Sequence, residues 1–488
     1  MTHRIARFIL KSLALIASLI LVLTGTVQLG KRIHRFMLPP AERILAEADA
    51  LADRSNWRAA GPLYKRAEVM FHQQGNAALE LYAKVSQIPA YTESSITPMS
   101  EWLAEVEQAL SRPAAHDPKT RLRILEIKGQ IENNYDATLA YKTWSTVEQM
   151  AAEQDNWTLE NRAYGEEAIG LFLLGDSGAA KKHAFLGHKK TYLLGDRYGR
   201  MRLAALIGAG MVQFKSYDGA LTYLDQAISI AKSTPNAAYP SVAITAKIDA
   251  LRGLKRFSEA LALSAEAMRI PERDHLRGHL YQLLETRAPI WKDMGNLPQA
   301  TRDYAQAFQY AKSLGYWRGL TESGGPLAQA YEEQNQLGEA LSTIDEALTA
   351  QQRIPSEMYF APRNLAIKAE IQKKLGKIAS SNNLYDRSLA LVDSLLITAP
   401  TPNIVDRILD EYSGAYSGYF ASLCAQKNLP GAFAVIERVH GRLEVEALQT
   451  HKHLPPHPPT PQEQVLAALN LKLISTDDQS RRDAKSKT

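Results

Sequence analysis

The chain has 488 residues, 22% charged and 45% hydrophobic, with 28 Gly, 23 Pro and one Cys, which excludes the collagen-like, disordered and disulfide-scaffold classes. Residues 1–40 hold six Lys/Arg and no Asp or Glu, so of the formal charge of +5 nothing is left for the rest, which carries 51 basic against 52 acidic residues. A body so close to neutral has no bulk attraction for a phosphate backbone, which removes nucleic acid as an expected partner, and the single Cys424 cannot form an internal disulfide or a cysteine-built zinc staple.

In chain order, residues 1–11 form a basic N-terminal segment. Nineteen residues then pass without a charge, Ser12 to Gly30, rich in Leu, Ile, Val and Ala. At about 1.5 Å per residue a helix of that length covers roughly 28 Å, close to the hydrocarbon thickness of a bilayer. The expectation is a single-pass transmembrane anchor over 12–30, followed by a juxtamembrane linker over 31–40. A cleaved signal peptide is the alternative, but the Leu23-Thr24-Gly25-Thr26-Val27 stretch is a poor small-x-small cleavage site. Three basic side chains flank each end of the segment, and the α-amino group tips the orientation toward a body outside the cytoplasm.

From Ala41 onward a fixed period governs the sequence. Ala140, Ala180, Ala220, Ala260, Ala300 and Ala340 recur at intervals of forty, and Ser381 follows at forty-one. Four residues after the last six of these anchors stand Ala184, Leu224, Ser264, Tyr304, Ile344 and Tyr385; three further on stand Gly187, Ala227, Ala267, Ala307, Ala347 and Ser388. That is one stripe of a helix. Twelve residues before the same anchors come Ala168, Gly208, Ile248, Ala288, Ala328 and Ala369, the inner stripe of a preceding helix. Between the two sit Gly175, Lys215, Lys255, Gly295, Asn335 and Gly376, mostly types that suit a tight turn. Each repeat is therefore read as a helical hairpin. Small residues in the rows let neighbouring helices approach closely, and hairpins that cannot bury their own apolar faces stack into a superhelix with a concave surface.

The residues that carry this signal resemble the tetratricopeptide repeat family; the best matches read WKDMGNLPQATRDYAQAF (Trp291 to Phe308) and YEEQNQLGEALSTIDEAL (Tyr331 to Leu348). The period departs from the family's usual value of about 34, and HEAT-type repeats have the longer period without this alanine–aromatic spacing. The resemblance implies an all-α, TPR-like superhelix. It predicts degenerate repeats over 41–119, where Ala60, Tyr64 and Ala67 keep phase and Pro89 and Pro98 interrupt it, a regular array over 120–398, and a last hairpin over 403–450. Residues 451–488 read as a Pro-rich linker, a short helix and a charged tail. The stretch AFAVIERVHGRLEVEALQ, the linker and the following helix resemble the junction that precedes a CHAT domain, a caspase-like peptidase module, in bacterial proteins. The alternative function is then the sensor or recruitment arm of such a protease, with the peptidase itself absent from this chain.

No motif calls for catalysis, a cofactor or a metal. His275 and His279 lie one turn apart but Leu276 stands where a zinc peptidase needs Glu. His451, His453 and His457 crowd a proline-rich stretch, and Cys424 reads as a small buried thiol. Phosphate-loop, dinucleotide, nucleophile-elbow and zincin signatures are all missing. What remains is binding through the concave face, as a membrane-anchored scaffold for a protein or peptide ligand. Projecting the first helices onto that face gives Arg202, Gln213, Asp249, Arg252, Lys292, Asp293, Gln329, Glu332, Glu333, Lys373 and Lys374. Their mixed signs point to an extended peptide or a partner helix. The Lys/Asn carboxylate clamp of some tetratricopeptide proteins is not reproduced.

Overall fold

The computed structural model describes residues 37–92, 99–133, 136–174, 176–354, 360–397 and 402–438. These residues fold into helices and turns, with no strand among them. The first hairpin pairs α1 (Pro40–Ala52) with α2 (Trp57–Gln73). The proline-interrupted stretch forms shorter pieces, α3 (Ala77–Val85), α4 (Ile88–Thr92) and α5 (Met99–Leu110). Seven regular hairpins follow: α6 (Pro118–Glu132) with α7 (Ala137–Glu153), α8 (Trp157–Leu173) with α9 (Ser177–Leu194), α10 (Arg197–Gln213) with α11 (Tyr217–Ser233), and α12 (Ser241–Gly253) with α13 (Phe257–Asp274). The series continues with α14 (Arg277–Asp293) and α15 (Leu297–Ser313), α16 (Trp317–Glu333) and α17 (Leu337–Gln351), then α18 (Ala361–Lys374) and α19 (Ile378–Ile397). After α19 comes α20 (Pro402–Glu411), and α21 (Ser413–Ala425) then pairs with a helix over 429–438.

Local chemistry fixes where each helix starts and stops. Asn56, Asn76, Asp117, Asn156, Asp176, Asp196 and Asn296 each accept a hydrogen bond from a first-turn backbone N–H, satisfying a donor the helix itself leaves open. At the other end, Lys215, Lys255, Gly295, Asn335 and Gly376 all take a left-handed φ, between 58° and 79°. The next N–H then reaches back to close the helix, as from Ser216 to Met211 O and from Gln336 to Tyr331 O, both at 2.9 Å. Gly175, which shares their register, lies outside the described residues.

The small-residue rows are the seams. Ala220, Ala260, Ala300 and Ala340 are fully buried, as are Ala227, Ala307 and Ala347 two helical turns further on. A Cβ added to Gly324 of α16 would stand 2.5 Å from that of Ala347 in α17, so these two helices meet as closely as backbones allow. First helices of successive hairpins pack on one another more closely than second helices do, which meet through side chains such as Lys312 and Glu346 at 2.7 Å, and this places the first helices on the inside of the bend.

The bend is tight enough for the coil to meet itself. Arg54 donates to Pro235 O at 3.1 Å, Asn56 to Asn236 O at 3.2 Å, and the Ala238 N–H to Arg54 O at 3.0 Å. Farther along, the Met99 N–H reaches Leu314 O, Arg318 reaches Asn133 O, and Lys215 pairs with Asp410. The partners are between 180 and 215 residues apart, so one superhelical turn takes about five hairpins.

No helix among the described residues is long and apolar enough to cross a membrane. That corrects the expectation of a single-pass membrane protein with its body outside the cytoplasm. The described helices bury their apolar side chains against neighbouring helices, and the segment 12–30 on which the expectation rested lies outside the described residues.

Candidate functional site

Inside the coil, the inner wall of the N-terminal half carries a continuous chain of polar contacts. Asp49 of α1 accepts from the hydroxyls of Tyr64 at 2.8 Å and Tyr82 at 2.9 Å. Arg123 of α6 reaches Tyr64 OH, Ser86 Oγ at 2.9 Å and Glu126 at 2.6 Å. Glu126 also pairs with Arg162 of α8, and Glu166, one turn on, with Arg202 of α10. Burial works against the charges of Arg123, Glu126 and Arg162. For Glu126 the guanidinium groups of Arg123 and Arg162 outweigh it and hold the carboxyl below its ordinary range; for Arg123 its anionic and phenolic neighbours, Glu126 first, outweigh it and strengthen the guanidinium's hold on its proton.

Beside this row lies a cavity of about 580 Å³, enclosed by the α1–α2 turn, the inner faces of α6, α8 and α10, and the 238–243 segment that the turn of the coil brings up to Arg54. Trp57, Tyr82, Tyr239, Lys119 and Val242 line it, and so does Asn161, only 1% exposed, whose amide oxygen and nitrogen have no hydrogen-bond partner. His279 also lines the cavity, and burial pushes its imidazole below the ordinary value. Among the described residues no group of His, Cys, Asp or Glu is arranged to hold a metal.

The residues singled out from the sequence fall elsewhere. Apart from Arg202, they crowd the C-terminal ends of the inner helices, where cations also complement the helix dipole. They pair with one another across successive hairpins: Arg252 with Asp293 at 2.7 Å, Lys292 with Glu333 at 3.0 Å, and Lys374 with Glu332. Lys373 turns to Glu370 at 2.6 Å on its own helix. Gln213 and Gln329 are exposed and join none of these pairs. Sequence reasoning missed Arg123, Glu126, Arg162 and Glu166, which lie in and beside the region where the repeat signature fades. Opposite charges about 36 residues apart, Glu126 with Arg162 and Glu166 with Arg202, were the available signal. Cys424 is half-buried; His440, His451, His453 and His457 lie outside the described residues, as does the CHAT-like junction from residue 439 on.

Asp249 sits deeper, on the inner wall of α12. Burial first, then the carboxylate of Glu322, pushes its carboxyl up to about 7 against the help of Arg252. Glu285 is raised well above its ordinary value by burial and by Glu322, with one carboxylate oxygen unpartnered. A carboxyl whose pKa is higher in the folded state takes up a proton on folding, so its contribution to stability falls as pH rises from about 4 to about 7. Asp249→Asn should therefore raise stability at about pH 8 by about 1–2 kcal/mol and leave it nearly unchanged at about pH 4. Urea unfolding at the two pH values checks this; a gain confined to acid would contradict it.

No family model and no curated protein matches the chain. Among solved structures it is similar to a Rap protein complexed with Competence and Sporulation Factor, at 14% identity and TM-score 0.46, covering 68% of this chain and 99% of that one. It is also similar to aspartyl phosphate phosphatase F from Bacillus subtilis, at 13% identity and TM-score 0.41, covering 83% and 94%. A third is a signal transduction ATPase with numerous domains from Pyrococcus horikoshii that carries a tetratricopeptide repeat sensor, at 12% identity and TM-score 0.43, covering 83% and 67%. Likeness at this level carries no argument of its own, and the helical-repeat architecture rests on the hairpins themselves.

Proposed function

We propose that the chain is a binding scaffold that works by contact, taking an extended peptide segment of a partner protein into the interior of its coil. The observation that carries this reading is the cavity beside the Arg123–Glu126–Arg162 row, whose volume of about 580 Å³ falls within the range of ligand pockets. Asn161 supports a peptide as the occupant. A carboxamide offers a donor and an acceptor side by side, and a peptide backbone presents the complementary pair. The alternating charges of the wall favour a chain of mixed sign over a polyanion. The rim pairs named above neutralise each other and serve the reading less well than the N-terminal cavity does.

Selection of a displayed random-peptide library on the full chain tests the reading. Peptides should be recovered, and Val242→Trp, which fills the cavity mouth from an exposed position, should weaken the best of them by about tenfold or more. Lys119→Glu, also exposed, should shift the charge preference of the recovered peptides. Recovery of none, or of peptides indifferent to Val242→Trp, would remove the cavity as the site.

A further inference from the structure

Helix α9 departs from the mutual neutralisation seen along the inner wall and rim. It contains Lys181, Lys182, Lys189 and Lys190 and no Asp or Glu. Lys190 turns to Glu160 at 2.8 Å, whereas Lys181, Lys182 and Lys189 have no ion-pair partner among the described residues. On the same outward face Phe185, Leu186 and Leu193 are 41%, 46% and 82% exposed. Leu193 is the most exposed large apolar side chain among the described residues. Phe185 sets its ring edge-on to that of Tyr223 in α11, centroids 6.4 Å apart, but the seams of the solenoid do not explain the exposed leucines, because they are filled from the opposite face of α9 by Ala180, Ala184 and His188.

Lys182, Leu186, Lys189 and Leu193 follow one another at spacings of four, three and four, which sets them in one straight line along the helix. We propose that this face is a second docking surface, and that it takes an amphipathic helix of a partner protein. The partner presents carboxylates to Lys182 and Lys189 and apolar side chains to Leu186 and Leu193. The position of the lysines decides between a helix and a lipid surface. A helix that sinks into lipid keeps its charges on the side away from its apolar sector. Here Lys182 and Lys189 stand in the middle of that sector, with Phe185 on one side and Leu186 and Leu193 on the other, so insertion would bury two ammonium groups without partners. A facing helix with Asp or Glu at the same spacing satisfies both at once, the charges setting register and the leucines excluding water.

A fluorescein-labelled synthetic helix with Glu and Leu at the same four–three–four spacing, titrated with the full chain by anisotropy, tests the proposal. Wild type should bind it, and both Lys182→Glu/Lys189→Glu and Leu186→Ser/Leu193→Ser should weaken binding by about tenfold or more. The glutamate variant should in turn bind a Lys/Leu version of the helix that wild type rejects. All four positions are exposed, so thermal melts of the variants should overlay that of wild type. Failure of wild type to bind, or equal binding by all three proteins, overturns the proposal. It is also overturned if wild type cosediments with phosphatidylserine–phosphatidylcholine vesicles and both variants lose that property while keeping the synthetic helix, an outcome that assigns the face to lipid.

Discussion

Replacing Arg123 by alanine should destabilise the protein by about 3–5 kcal/mol, because it breaks a buried charge network by removing one partner. The side chain is 6% exposed and serves Ser86, Tyr64 and Glu126 at once, with its guanidinium 5.2 Å from the ring centre of Trp57 and 5.4 Å from those of Tyr64 and Tyr82. Without it Glu126 keeps Arg162, but the Tyr64 hydroxyl and Ser86 Oγ lose a donor in a place water does not fill freely. Lysine should not rescue the loss, since an ammonium on a narrow stem cannot offer a planar fork in three directions. Arg252→Ala is the contrast. Its pair with Asp293 is about one-third exposed on both sides, and such a pair contributes about 1 kcal/mol or less. Urea midpoints at unchanged slope give both numbers. A loss below about 1 kcal/mol for Arg123→Ala would mean that water takes over its bonds and that the row is not a structural spine.

The second large effect belongs to the seams. Ala347→Phe should cost about 2–3 kcal/mol by overpacking, because the alanine is fully buried against Gly324 and the two helices have no room to part without disturbing α18 as well. Gln329→Ala, on the exposed face of the same hairpin, should stay within about 0.5 kcal/mol. Similar losses at the two positions would show that the assigned faces are wrong.

Much of the hairpin architecture is legible in the chain, and the reason is mechanical. A seam that accepts only small residues writes itself into the sequence as a row, and the residues two positions past the turn residues, Tyr217, Phe257, Leu297, Leu337 and Ile378, are the first residues of α11, α13, α15, α17 and α19. The turn positions are legible for the same reason. A left-handed φ is costly for side chains with a Cβ, yet Lys215 and Lys255 adopt it, so composition alone would have placed those two less surely than register did. Curvature left no such mark. How many hairpins complete a turn depends on small angles summed over many seams, and nothing in Arg54 or Pro235 announces that they meet. Arg123, Glu126, Arg162 and Glu166 were hidden for a related reason: their partners lie on neighbouring helices, and the repeat signature that would align those helices is weakest between residues 60 and 140. The rim residues were visible as charges, but that Arg252 faces Asp293 and Lys292 faces Glu333 depends on a shift of one residue beyond the repeat.

The contacts between successive turns change how such a chain comes to be folded. An open array grows from any point and frays from either end, since each unit answers only to its neighbours. Here the α1–α2 turn is latched to backbone groups of Pro235, Asn236 and Ala238. A latch of that span closes a loop of some 180 residues, which lengthens the search well beyond that of a local helical bundle. During synthesis from the N-terminus, the first hairpin has its own seam early but waits for its outer support until Ala238 has left the ribosome. Amide exchange at Arg54 and at Ala238 should then respond together to a change at either, two ends of one cooperative unit that are distant in the gene and adjacent in the coil.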